Sequence, residues 1–155
     1  MPEKPKRDTA AADAWGALLR VHAALVPQLD RELQAKHRLP LAWYDVLLEL
    51  YYSPDRRLRM SELGERVTLS RTRVSRLVDE MTAAGLVVRE ANPDDRRSAY
   101  AVLTSKGRTV FRQAAPTYLD GIDEQFGTVL TIAELTTIKD ALDKVIRRAG
   151  RRTPV

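Results

Sequence analysis

The sequence predicts a mainly α-helical chain with one small β-hairpin, the hairpin closing a compact middle segment that has a helical arm on either side. Three observations carry this reading. Apolar residues recur at three- and four-residue steps over most of the chain. That period breaks at residues 86–103, where two β-rich runs, LVVRE and SAYAVL, flank a turn containing Asn92-Pro93-Asp94-Asp95. The helix before the hairpin has clear ends, with Ser70 where a cap belongs and Gly85 as its stop.

The elements follow in order. Residues 1–11 carry charges with no apolar run behind them, so they read as a disordered arm and not as a secretory signal. From about Ala12 the residues Trp15, Leu18, Leu19, His22, Leu25, Val26, Leu29 and Leu33 mark a helix. Pro27 should kink it near Ala23–Ala24 or divide it, because the ring removes a hydrogen bond. HRLP, residues 37–40, ends it. A second helix spans about 41–52, with Tyr44, Leu47, Leu48 and Tyr51 on one side, and SPD breaks it. RLRM is a short extended piece. Ser61 should cap the short helix ELGERVT, and Ser70 the stronger helix within LSRTRVSRLVDEMTAAG, residues 69–85. After the hairpin, Thr104 should cap a helix to about Phe126, bent at Pro116. A last helix, to about Ala149, carries Leu135, Ile138, Leu142, Val145 and Ile146 in one stripe. Residues 150–155 read as a frayed tail.

Charge narrows the function. The chain has 155 residues and a net charge of +5. Ser53–Arg112 holds 13 Lys and Arg, 12 of them arginine, against 8 Asp and Glu, and the rest of the chain is balanced. A locally basic surface favours polyanions. With no cysteine there is no disulfide, thiolate metal site or thiol switch. No apolar run reaches membrane-spanning length, and the cytoplasm is the expected compartment. No nucleophile elbow, phosphate loop, paired-histidine motif or dinucleotide fingerprint marks an enzyme.

Strand, helix, helix, hairpin is the order of a winged helix-turn-helix, here over residues 41–104. In its second helix Val74, Leu77, Val78 and Met81 cluster on one side. Thr72, Ser75, Arg76 and Asp79 lie opposite, with Arg71 and Arg73 on the flanks. The first two turns are basic and hydroxyl-rich, as a helix entering the major groove N-terminus first requires. An amphipathic helix with a solvated polar face has the same pattern. The turn residues Asp94-Asp95-Arg96-Arg97 also allow two readings. They are either solvated turn charges or a wing whose Arg96 or Arg97 enters the minor groove while Asp95 holds the arginine side chain through a charge-assisted hydrogen bond.

Residues 69–108 resemble the core of the MarR family of bacterial transcription regulators. The family pattern SRLVDxLxxxGLVxR is met by SRLVDEMTAAGLVVR at 75–89, its wing DPxDRR by NPDDRR at 92–97, and its following run by AVLTSKG at 101–107. Asn92 departs from the usual Asp. The resemblance implies a winged helix-turn-helix flanked by N- and C-terminal dimerisation helices, 12–36 and 105–149. It implies a homodimer straddling a near-palindromic double-stranded DNA operator, most often as a repressor. The DNA-binding residues would be Ser70, Arg71, Thr72, Arg73, Ser75 and Arg76 in the recognition helix and Asp95, Arg96 and Arg97 in the wing. No cofactor is implied. Many relatives release DNA on binding a small aromatic or phenolic effector; Trp15, Trp43, Tyr44 and Asp45 are the candidates for such a pocket, although aromatic stripes at helical spacing are more often core. A protein-interaction module and a nonspecific architectural DNA binder are the competing readings.

Overall fold

The computed structural model describes residues 9–150. Six helices and a three-stranded antiparallel sheet follow one another as α1 Ala10–His37, α2 Leu41–Tyr52, β1 Arg57–Arg59, α3 Met60–Arg66, α4 Arg71–Ala83, β2 Val87–Ala91, β3 Ala99–Leu103, α5 Ser105–Ile122 and α6 Ile132–Arg148. The expectation of a disordered arm for residues 1–8, and of fraying for 151–155, lies outside the described residues. Ala10 and Ala11 already belong to α1.

α1 is one helix of 28 residues and does not divide at Pro27. A single lost hydrogen bond is small beside the bonds kept on either side and the packing of Leu29 and Leu33, both buried. The helix ends where Arg38 turns to φ 53° and donates its N–H back to Gln34. α2 then starts without a cap from its own chain neighbours. Pro40 at its N-cap has no polar side chain, and the Leu41 N–H is taken instead by Asp30 Oδ1 of α1 at 2.8 Å. That carboxylate does for α2 what a capping side chain does locally. Gln34 donates to the other oxygen of Asp30.

The strand order is β1-β3-β2, with β2 and β3 forming the expected hairpin in the register Val87–Leu103 to Ala91–Ala99. β1 adds its edge through the pairs Arg57–Val102, Leu58–Ala101 and Arg59–Tyr100. Side chains alternate across a strand, so Leu58, Ala101, Val87 and Leu103 turn inward, where all four are buried. They close one core with Leu47 and Leu50 of α2, Leu63 of α3, Val74, Val78 and Met81 of α4, and Phe111 and Ala114 of α5.

Local signals set the joints of this lobe. Gly85, at φ +76°, ends α4 in the left-handed conformation that suits glycine. Thr104 caps α5 by accepting from Gly107 N at 2.9 Å, and its own hydroxyl donates to the Gly85 carbonyl at 2.7 Å. Gly107 lies so close under the Leu86 carbonyl that a Cβ there would collide with it. Ser61, by contrast, is not a cap. α3 starts two residues earlier than expected, at Met60, and the Glu62 carboxylate takes the Arg59 N–H at 3.3 Å. Pro116 lies inside α5 without ending it, and the last turns before Gly127 widen into a π-helical segment, Asp123–Gly127.

α6 stands apart from this core. Its capping box is complete, with Thr131 and Glu134 bonding each other's backbone. Yet none of its residues is buried, and Ile132 and Val145 are 84% and 63% exposed. The outer half of α1 is similar: Trp15, Leu18, Leu19 and Val21 are all exposed.

Candidate nucleic-acid interface

α3 and α4 form a helix-turn-helix. Leu69 N bonds Gly64 O at 3.0 Å across the turn, and Thr68 takes φ 60° to redirect the chain. Ser70 then caps α4, its Oγ accepting from Arg73 N at 3.3 Å. Val74, Val78 and Met81 fix the inner face of the helix. The opposite face is thereby presented outward: Arg71, Thr72, Arg73 and Arg76 are exposed and Ser75 is half-buried. Arg71, Thr72, Ser75, Arg76 and Asp79 line one open groove along the helix surface. Of the predicted recognition residues, Arg71, Thr72, Ser75 and Arg76 thus share one accessible strip, and Ser70 and Arg73 are exposed.

The wing is built differently from the prediction. Asn92 is buried at the base of the turn and uses both ends of its amide. Its Oδ1 accepts from Asp94 N at 3.0 Å, and its Nδ2 donates to Ser98 Oγ at 2.9 Å. Asp could make the first bond but could not donate the second, so Asn92 is more than a tolerated change. Asp95 does not grip an arginine side chain, as predicted. Its Oδ1 accepts from the backbone N–H of Arg97 at 2.9 Å. A side chain two residues back reaches a main-chain N–H more readily than a mobile guanidinium. Asp95 therefore shapes the turn that exposes Arg96 and Arg97.

Arg89 is a residue the sequence reading missed. From β2 its Nη2 donates to Ser75 O at 2.9 Å and Ser75 Oγ at 3.0 Å, and pairs with Asp79 Oδ1 at 2.8 Å. The wing strand is thus tied to the outward face of α4. The strand alternation held the signal: Arg89 shares the inward parity of Val87 and pairs with the small Ala101. An arginine at an inward position needs a partner, and Asp79 supplies it. Ser75 Oγ thus serves as an acceptor for Arg89.

The four effector candidates are not brought together within one chain. Tyr44 is core, 2% exposed, its ring centroid 5.4 Å from Phe111 and 4.6 Å from Tyr118. Burial, then Tyr118, raises its hydroxyl pKa. Trp43 packs against the same core, half-buried. Trp15 is 60% exposed and lies about 22 Å along α1 from Asp30, at 1.5 Å per residue, where α2 begins. Asp45 is half-buried beside Tyr118. Burial first, and then the neighbouring Glu49, lifts its pKa to about 6. Glu49 itself is paired with Arg66 of α3 at 3.3 Å.

A helix-turn-helix whose second helix offers a basic strip, with a charged hairpin bound to its flank, defines a winged-helix DNA-binding protein. No helix among the described residues is long and apolar enough to cross a membrane. The family model described as MarR family matches residues 38–98. AbsC, a MarR family transcriptional regulator from Streptomyces coelicolor, is similar over 96% of this chain and 99% of its own, with 32% identity and a TM-score of 0.84. Sco3205, a MarR family regulator of the same organism solved in complex with DNA, is 32% identical over 88% of both chains with a TM-score of 0.82. The regulator MhqR of Bacillus subtilis is 27% identical over 83% of this chain and 86% of its own. The chain belongs to the MarR family of transcriptional regulators, and it is a DNA-binding regulator, not an enzyme.

Proposed function

We propose that the protein acts as a homodimeric repressor on a near-palindromic operator. The observation that carries this is the exposed strip of Arg71, Thr72, Arg73 and Arg76 on a helix whose flank Arg89 ties to the wing. In this reading Arg76 and Arg73 read guanine edges, and Ser70, Thr72 and Ser75 bond phosphates or either base type. Arg96 and Arg97 reach the adjacent minor groove. Residues 12–36 and 105–149 of two copies interlock, which gives Trp15, Leu18, Leu19, Ile132 and Val145 a covered surface and sets the recognition helices about one DNA turn apart.

A small aromatic or phenolic effector is the second part of the reading. The half-buried Asp45 beside Tyr118 favours it: an uncompensated carboxylate at the α2–α5 seam can accept a phenolic hydrogen bond. Trp43 would flank the ligand, Tyr44 would back the wall, and Trp15 would have to come from the second copy. Cytoplasmic location follows from the regulator role.

Selection of bound duplexes from a random pool, read by sequencing, tests the proposal. An enriched inverted repeat with half-sites about one turn apart is expected. Salt-sensitive binding with no enriched sequence would make the protein an architectural DNA binder. Absent or salt-insensitive binding would make it a protein-interaction module.

A further inference from the structure

The outer face of the wing sheet carries charge that neither the recognition helix nor the hairpin tip accounts for. Paired residues of neighbouring strands share a face, and so do residues two apart. Leu58 and Ala101 face the core, so Arg57, Arg59, Tyr100 and Val102 face outward, with Val88 and Glu90 of β2 beside Val102 and Tyr100. Arg59 pairs with Tyr100, one step inside the last hairpin pair, Ala91–Ala99. Its side chain is long enough to reach the level of the tip. The Glu62 carboxylate of α3 and, more weakly, Asp95 at the tip lie close enough to act on its charge.

Tyr100 holds this end of β1 in order. The Arg57 guanidinium lies 4.8 Å from the centre of its ring, a cation–π contact. Tyr100 is also the register partner of Arg59, and its hydroxyl side chain favours the charged guanidinium there. Arg59 is exposed on this face. An ordered, exposed guanidinium has little of its own to gain in stability. It is pre-arranged for an anion that comes from outside.

We propose that Arg59, steadied by Tyr100, is a third DNA-contacting arginine of the wing, gripping a backbone phosphate beside the minor groove that Arg96 and Arg97 enter. Arg59 reaches the tip from the edge strand β1, which precedes the recognition helix, so the wing's grip is assembled from two segments of the chain. Asp95 lies between these cations. It shapes the turn through the Arg97 N–H and offsets the repulsion among three arginines crowded at one tip. The inference rests on the DNA-binding reading of the wing, and the test separates the two.

The experiment titrates the full-length protein and its variants against a fixed 30-base-pair random-sequence duplex between about 50 and 300 mM salt. Each lost phosphate contact lowers the slope of log affinity against log salt by about 0.9. Arg59→Ala and Arg59→Gln should each lower it by about 1 per protomer. Arg59→Lys should keep the slope. Tyr100→Phe, which removes only the hydroxyl, should weaken binding several-fold with the slope unchanged. The backbone N–H that starts α3 is intact in every variant, and a melting curve for each checks the fold. An Arg59→Ala slope equal to wild type, with Arg97→Ala flattened, overturns the inference and leaves the wing reading standing. If wild type and Arg97→Ala share one slope, the wing reading itself fails, and the inference with it.

Discussion

Helices α4 and α6 carry similar apolar stripes and meet opposite fates. In α4, Val74, Val78 and Met81 are sealed against α3, the hairpin and α2. In α6, Leu135, Ile138, Leu142, Val145 and Ile146 repeat the spacing, and none is buried. The period of a stripe therefore says that a face wants covering, not that the same chain covers it. A sealed stripe stabilises the lobe directly. An open one is an unmet demand, and a second copy of the chain is the cover that the family fold leads us to propose.

Four changes probe that contrast, in falling order of effect. Met81→Ala removes a fully buried side chain, so denaturant unfolding should lose about 2–5 kcal/mol, at every protein concentration. A loss that shrank with concentration would mean that the lobe, too, depends on a partner.

Asp45 sits at the seam between the two regions. Burial raises its folded-state pKa to about 6 from an ordinary value of 3.8. The native chain then holds this proton more tightly than the unfolded chain, so stability falls as pH rises between those values and the cost is complete above them. Asp45→Asn should add about 1–2 kcal/mol at pH 7.5 and nothing at pH 3.5. An equal gain at both pH values would trace it to packing instead of charge.

Arg89→Ala should barely change the melting temperature, because its ion pair with Asp79 is largely solvated. Its DNA affinity should still fall about tenfold, or about 1.4 kcal/mol, since the wing is no longer tied to α4. Unchanged affinity would show that wing and helix are aligned by the core alone. Val145→Ala is the counterpart of the first change. It should cost about 1 kcal/mol, visible as a melting temperature that depends more steeply on concentration than wild type. A neutral result from micromolar to millimolar would leave the α6 stripe uncovered.

Most of the lobe was legible because its signals are local. Ser70, Gly85 and Thr104 act at the joints where their residue types placed them, and the hairpin lies where the period changes from 3.6 to 2. What the sequence hid depends on partners far along the chain. Nothing near Leu41 announces Asp30 as its cap. Nothing in RLRM says which edge it will join, since its partner Tyr100 lies forty-one positions from Arg59. The same limit applies to the site. The exposed strip on α4 followed from helical geometry alone, whereas the Arg89 clasp required knowing that β2 lies against α4. Asp95 was assigned to the right turn but to the wrong partner, because a carboxylate at a turn has a backbone N–H within easier reach than a side chain. Of the two outcomes expected at Pro27, a kink or a division, division does not occur, because propensity describes an isolated helix and α1 is held by its neighbours.

Asp30 also makes the meeting of α1 and α2 mechanically stiff. The carboxylate that starts α2 is rooted about two turns before the end of α1, while Gln34 steadies it from one turn further on. The reading lobe cannot swing at this corner without stranding the Leu41 N–H, so a small tilt of the arm is passed on whole. In the homodimer proposed above, leverage of this kind would turn a small shift near the arm into a change in the distance between the two α4 helices, with the corner acting as a bracket and not as a hinge.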